Sequence, residues 1–259
     1  MSYPKLKIDN YLKIFKDYTE TFLSKDIDDN TKTNLKLKQD HSLRVFKNAE
    51  AIAKSLNLDD KNLFIAQLCG LFHDIGRFEQ FTKYKTFKDE VSLYHGALGE
   101  KILRKEKFIE AESLDIQNIV YDAVYNHGLI AIERENPSSL LFSKITRDAD
   151  KIDIFRIVAK YYRKSGPRNI ALEYGLKNTP TISDVVMAKF KTQELINKDE
   201  LQTLNDFKTM QLAWIFDLNF PFTKEKIIEQ GHLNIVLDSI NAPEQGEILR
   251  KLIFASINN

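Results

Sequence analysis

Leu63-Phe64-Ile65-Ala66-Gln67-Leu68-Cys69-Gly70-Leu71-Phe72-His73-Asp74-Ile75-Gly76 is an apolar stretch that closes on two adjacent side chains able to ligate metal. Leu63, Phe64, Leu68, Leu71 and Phe72 recur at helical spacing and predict a buried helix. Gly76, two residues past Asp74, reads as its natural stop, which puts His73 and Asp74 at a helix end. Adjacent helical residues point about 100° apart, so two consecutive ligands need a shared ion or a bridging geometry, and a helix terminus relaxes that constraint. A buried imidazole beside a buried carboxylate without a counter-ion is costly. The pair therefore reads as metal-binding.

Single histidines stand at helix-scale separations on either side. Four of the five, His41, His73, His95 and His127, fall in one stretch, which ends in the acidic run Asp148-Ala149-Asp150-Lys151-Ile152-Asp153. Imidazole suits first-row transition metals, and a carboxylate can bridge two cations, so the set is large enough for two ions. A lone histidine on an apolar stripe is more often a hydrogen-bonded core residue, but that explanation weakens when it is needed four times. A helix with Asp40 as N-cap carries Leu43, Phe46, Ala49, Ile52, Ala53 and Leu56 on one stripe and puts His41 in its first turn. His95 goes with Val91, Leu98, Ile102 and Leu103, and His127 follows Ile116, Val120, Ala123 and Val124, so both face inward. After the Asn136-Pro137 break, a helix from about Ser139 runs through Ile145, Ile152, Phe155 and Val158 and carries the acidic run. His232 fits no such element and reads as an exposed or capping residue.

Nearly every segment has helical period, glycine is scarce at nine residues, and no alternating run argues for a sheet. The fold class is all-α. A first helix over Asp9 to about Leu23 and the acidic linker 26–30 make residues 1–37 an arm packed on the bundle. Residues 38–165 form the metal-binding core, closed by the basic loop 163–168. Residues 166–259 form a helical extension of the same compact domain, with helices near 182–190, 200–216 and 248–256. The aromatic segment Gln211 to Phe220 reads as a core helix. The chain has 259 residues, 43% hydrophobic, enough for a substantial core. A net charge of +1 gives no global field for a nucleic-acid polymer. Cys69, the one cysteine, sits in apolar surroundings and reads as a buried thiol in a reducing cytoplasm. No apolar run approaches the ~18 residues that spanning a membrane demands.

The order His41, His73-Asp74, His95, His127, Ala149-Asp150 resembles the HD-domain superfamily of metal-dependent phosphohydrolases. The resemblance covers roughly residues 38 to 160, and it implies a helical HD bundle with additional C-terminal helices. In two-metal members of the family, the corresponding residues imply that His41, His73, Asp74 and Asp150 hold one ion, and that Asp74, His95 and His127 hold a second. Periodicity leans to Asp148 over Asp150, because Asp148 shares a stripe with Ile145, Ile152 and Phe155. The family pattern, Ala-Asp followed by a basic residue, selects Asp150, leaving Asp148 to orient a ligand histidine and Asp153 to the surface or to the helix's charge pattern.

Two divalent transition-metal ions, Fe, Mn, Co, Ni or Zn, would lower the pKa of a bound water and clamp a phosphoryl group. The implied activity is hydrolysis of a phosphorylated small molecule, a phosphomonoester or phosphodiester, nucleotides included. Asp74 serves as bridging ligand and proton acceptor, and Arg77, with Lys151 and the nearby Lys144 and Arg147, supplies positive charge for the phosphate. Tyr94-His95-Gly96-Ala97-Leu98-Gly99 resembles a segment of the cyclic-di-GMP phosphodiesterases, but Asn126-His127-Gly128 lacks their following Gly-Tyr-Pro motif. Two other readings use the same residues: a di-iron oxygenase of the inositol oxygenase type, and a non-catalytic nucleotide-binding module.

Overall fold

A computed structural model describes residues 3–163, 173 and 175–257, with backbone alone at 3–6 and 257. Residues 164–168 of the basic loop lie outside the described residues. The chain divides into two compact units, 1–153 and 154–259, and among the described residues there is no strand beyond one isolated bridge, Lys177 to Thr203. No described helix is long and apolar enough to cross a membrane.

The first unit is built from α1 (Tyr3–Leu23), α2 (Asp29–Ser55), α3 (Asp60–Phe72), α4 (Gly76–Tyr84), α5 (His95–Lys105), α6 (Leu114–Asn126) and the start of α7 (Pro137–Arg163). The α3 segment is buried from Phe64 through Phe72 and packs on α1, α2 and α6. Its all-round burial fits an apolar sequence with little amphipathic contrast. Phe15 of α1 sets its ring edge-on to Phe72 and Phe78, with centroids 6.2 and 6.1 Å away. Each such buried phenyl contributes about 1.5–3 kcal/mol by leaving water, which holds the opening helix against the elements that carry the histidines. Cys69 is fully buried here.

Two boundaries next to the histidines differ from the sequence reading. The second helix starts at Asp29, not at Asp40, and its N-cap is Asp28, whose carboxylate accepts from the Thr31 backbone N–H at 2.8 Å. Asp40 lies mid-helix, paired with Lys36 at 3.0 Å, so His41 is well inside the helix. The extra turns bury Thr31, Leu35 and Gln39 on one stripe. Two of those three are polar, and Gln39 is satisfied by donating to Thr19 Oγ at 2.8 Å, which hides the stripe from a hydrophobicity count. Gly76 does not end a helix; it begins α4. Its role is space: a Cβ there would collide with the His95 carbonyl and lie 2.8 Å from the Gly99 nitrogen, so glycine lets α4 close on α5.

The second unit contains α8 (Asp184–Lys191), α9 (Leu204–Ala213), a 3-10 turn at Trp214–Asp217, α10 (Pro221–Glu229), α11 (His232–Asp238) and α12 (Pro243–Ile257). Every residue of α9 is buried, and it contacts α8 and α11. Thr203 and Asp206 cap its start reciprocally. The Gln211–Phe220 segment thus splits into the end of α9 and the turn, with Phe216 packed on Phe190 at 5.0 Å and Trp214 on Phe155 at 6.3 Å. His232 is the first residue of α11.

Candidate metal centre

Six side chains converge inside the first unit. His41 comes from the middle of α2, His73 is the C-cap of α3, Asp74 follows it, His95 opens α5, His127 is the C-cap of α6, and Asp150 lies on α7. All four imidazoles and Asp74 are buried. The turn after α3 stays in right-handed geometry at His73 and Ile75, which lets two consecutive side chains enter one site.

The Asp74 carboxylate faces two ways. Its Oδ2 lies 3.5 Å from both His41 Nε2 and His73 Nε2, whereas its Oδ1 lies 3.6 Å from His95 Nε2 and 3.5 Å from His127 Nε2. Asp150 Oδ1 joins the first side, 3.0 Å from His41 Nε2 and 3.7 Å from His73 Nε2. His41, His73 and Asp150 form one group whose ligand atoms lie within 4.8 Å of one another, and His73, Asp74 and His127 form another. His95 stands just outside the second tight group, with its Nε2 3.0 Å from that of His127.

The far nitrogen of every ring is held. His41 Nδ1 meets Asp153 Oδ2 at 2.7 Å, His73 Nδ1 meets the Gly70 carbonyl at 2.8 Å, His95 Nδ1 meets Asp89 Oδ2 at 2.7 Å, and His127 Nδ1 meets the Val124 carbonyl at 2.7 Å. Each acceptor assigns the ring proton to Nδ1 and turns the bare Nε2 into the site. Two pairs of these atoms then face each other, His41 to His73 at 3.2 Å and His95 to His127 at 3.0 Å, and Asp150 Oδ1 is buried without a hydrogen-bond donor. Acceptors aimed at acceptors in a buried space are the arrangement that a cation satisfies.

The donor set passes a fit test for such an ion. Bonds of about 2.0–2.2 Å place neighbouring ligand atoms roughly 3.0–3.5 Å apart, close to the 3.0–3.7 Å separations here. Imidazole with carboxylate suits first-row transition metals.

Burial pushes the Asp74 carboxyl up, but the Lys38 ammonium, 2.7 Å from Oδ2, and the His73 imidazole outweigh it and hold its pKa well below the usual range. Asp150 is likewise lowered against its burial, chiefly by His41. Burial lowers His73, and burial with the nearby Arg77 charge takes His95 down to about 3. These two rings are therefore neutral, as ligation requires. His41 differs: burial and Lys38 push it down, while Asp150 and Asp153 together outweigh them and raise it. A proton and a metal ion thus compete for its Nε2.

The supporting residues depart from the sequence reading. Asp153, expected at the surface or in the helix's charge pattern, is buried, holds His41, and accepts from Arg44 Nε at 2.6 Å. Asp148 is buried too, and Asp153 and Asp89 each hold the far nitrogen of one ring. Asp89 was not foreseen. It opens a 3-10 turn, Asp89–Val91, in the connection between α4 and α5, and is fixed by Gln80 Nε2 at 2.7 Å and Arg77 NH1 at 3.0 Å. Arg77 NH1 also donates to Gln80 Oε1 at 2.8 Å and the Phe87 carbonyl at 2.6 Å, leaving Nε 3.4 Å from Asp74 Oδ1. Arg147 donates to the carbonyls of Asn126, Leu129 and Ile130, so it shapes the loop after His127. Lys151 is largely buried and Lys144 partly so. Gly128 lies against the second side: a Cβ there would stand 2.6 Å from His95 Cε1 and 2.9 Å from its Nε2. Lys38, also unforeseen, lies three residues before His41 on the same face of α2.

Residues 39–154 match the family model for the HD domain, a span that holds all six converging side chains. No curated protein and no solved structure matches the chain.

Proposed function

We propose, from the premise that residues 39–154 are an HD domain, that this protein is a metal-dependent phosphohydrolase acting on a phosphorylated small molecule, a phosphomonoester or phosphodiester. The observation that carries the reading is the division of Asp74, one carboxylate oxygen toward each pair of bare imidazole nitrogens. On this reading His41, His73, Asp74 and Asp150 hold one divalent ion, and Asp74, His95 and His127 hold a second. Such a pair, when bound, activates water and neutralises the oxygens of a phosphoryl group.

The chain's own part is to keep this geometry ready. Asp153 and Asp89 fix two rings by charge-assisted hydrogen bonds, and the Gly70 and Val124 carbonyls fix the other two. The low pKa of Asp74 keeps it ionised as a bridging ligand. Arg77, tied to Asp89 and close to Asp74, positions the bridging carboxylate and the His95 loop together. A net charge of +1 supports a small substrate rather than a nucleic-acid polymer. The buried free thiol of Cys69 is compatible with a reducing cytoplasm.

The test is elemental analysis of protein purified with and without oxygen, paired with hydrolysis of an aryl phosphate and an aryl phosphodiester. Metal-dependent phosphate release that persists anaerobically with redox-inert ions supports the hydrolase. Oxygen uptake by an iron-loaded protein without hydrolysis would replace it with an oxygenase, since the same donor set binds iron. Tight nucleotide binding with filled sites and no turnover would replace it with a binding module.

A further inference from the structure

Lys38 lies one residue before the span that matches the HD domain, yet its ammonium is 2.7 Å from Asp74 Oδ2, at the centre of the site. Two other cations hold protein groups, and one of them, Arg77, also approaches Asp74, its Nε 3.4 Å from Oδ1. Arg77 is tied through NH1 to Gln80, Phe87 and Asp89, and Arg147 to the carbonyls of the loop after α6. Lys38 meets the Asp74 carboxylate and the Phe87 ring, 5.4 Å from its centroid. A four-carbon stem lets it change partner without moving the helix.

Access points the same way. The side chains of the four imidazoles and Asp74 are 0–4% exposed, whereas Lys38 is 17% and Asp150 14% exposed. Lys38 and Asp150 thus border one solvent-facing edge of the site, as Arg77 at 13% and Asp89 at 23% border the other, and a ligand arriving at the first edge meets the ammonium early. Charge supplies the reason for it to turn. Asp74 and Asp150 bring two negative charges, and two divalent cations bring four positive ones, so filling the site reverses the local sign that attracts Lys38 to Asp74. A strongly hydrated ammonium then seeks the next available anion.

We infer that Lys38 is the substrate-anion residue of this centre: it pairs with Asp74 in the metal-free protein, and in the loaded protein it binds a non-bridging phosphoryl oxygen of the substrate. The inference rests on the phosphohydrolase reading and adds to it the residue that recognises the anion. It also predicts an effect that needs no substrate. Lys38 and the metal compete for Asp74, so removing the ammonium leaves metal affinity equal or tighter.

Lys38→Met and Lys38→Arg separate the possibilities, with inorganic phosphate as the probe and calorimetric titration of metal-loaded full-length chain as the readout. Metal affinity is measured first on stripped protein. For Lys38→Met the expected result is wild-type or tighter metal binding with phosphate binding weaker by about 10 to 100-fold, as for loss of one charge-assisted hydrogen bond. Lys38→Arg should recover most of that loss. Unchanged phosphate affinity in Lys38→Met overturns the inference while leaving the phosphohydrolase reading intact. Loss of metal in Lys38→Met overturns it too, since Lys38 would then be supporting the ligands. A loaded wild-type protein that neither binds phosphate nor hydrolyses aryl phosphates sinks the reading and the inference together.

Discussion

The two imidazole pairs around Asp74 use the same residue type and are built differently. His41 stands mid-helix in α2 and His73 at the end of α3, backed by Asp153 of α7 and by the Gly70 carbonyl of α3. His95 and His127 stand at a helix start and a helix end, and His95 is backed by Asp89, a loop residue held in turn by Gln80 and Arg77. Packing between regular helices fixes the first pair. A hydrogen-bonded loop and a missing side chain at Gly128 fix one ring of the second. The lesson is that equal residue types need not make equal sites: the first pair rests on helix packing, while one ring of the second rests on a connecting segment, the kind of element that opens more readily.

The largest effect should come from the residue common to both sides. Asp74→Ala is expected to lose both ions and to cut aryl phosphate turnover by well over ~100-fold, beyond what outer-shell partners are worth; retained metal content in that variant would break the whole account. Next comes the separability of the sides. His127→Ala should empty the second side and leave an ion on His41, His73 and Asp150, visible as halved metal content. If both ions are lost, the sides are one unit and the comparison fails.

Smaller effects sharpen the contrast. Asp89→Asn and Asp153→Asn should each weaken one ion by about 10 to 100-fold, the former on the His95 side and the latter on the His41 side, as read by competition with a chelating dye. Equal effects of both on the same ion would contradict the assignment. Gly128→Ala presses a methyl group against the His95 ring and should destabilise the protein by ~1–3 kcal/mol, as overpacking does, while weakening the second ion. An unchanged urea midpoint with unchanged metal affinity would show that the ring has room to move.

Much of the arrangement was legible in the sequence, and its gaps have physical causes. The all-α class followed from helical period nearly everywhere, and the four histidines with Asp74 were readable as residues that belong together, whereas Asp150 came only from the family pattern, against a periodicity that leaned to Asp148. Their supports were not. Asp89 is invisible because a loop has no periodicity to place it, and Asp153 because a carboxylate three residues after Asp150 looks like surface charge until His41 is known to meet it. Lys38 was hidden by one misplaced boundary. Starting the helix at Asp40 leaves Lys38 outside it, whereas a helix from Asp29 puts it on the face of His41. The short helices α4, α10 and α11 were also unread: each is nine residues or fewer, too short for a convincing periodic pattern.

Equilibrium dialysis of metal-stripped protein against a saturating divalent transition metal tests the central claim most directly. The account predicts two ions per wild-type chain and one per chain of His127→Ala. A wild-type protein that saturates at one ion would contradict a carboxylate shared between two sites.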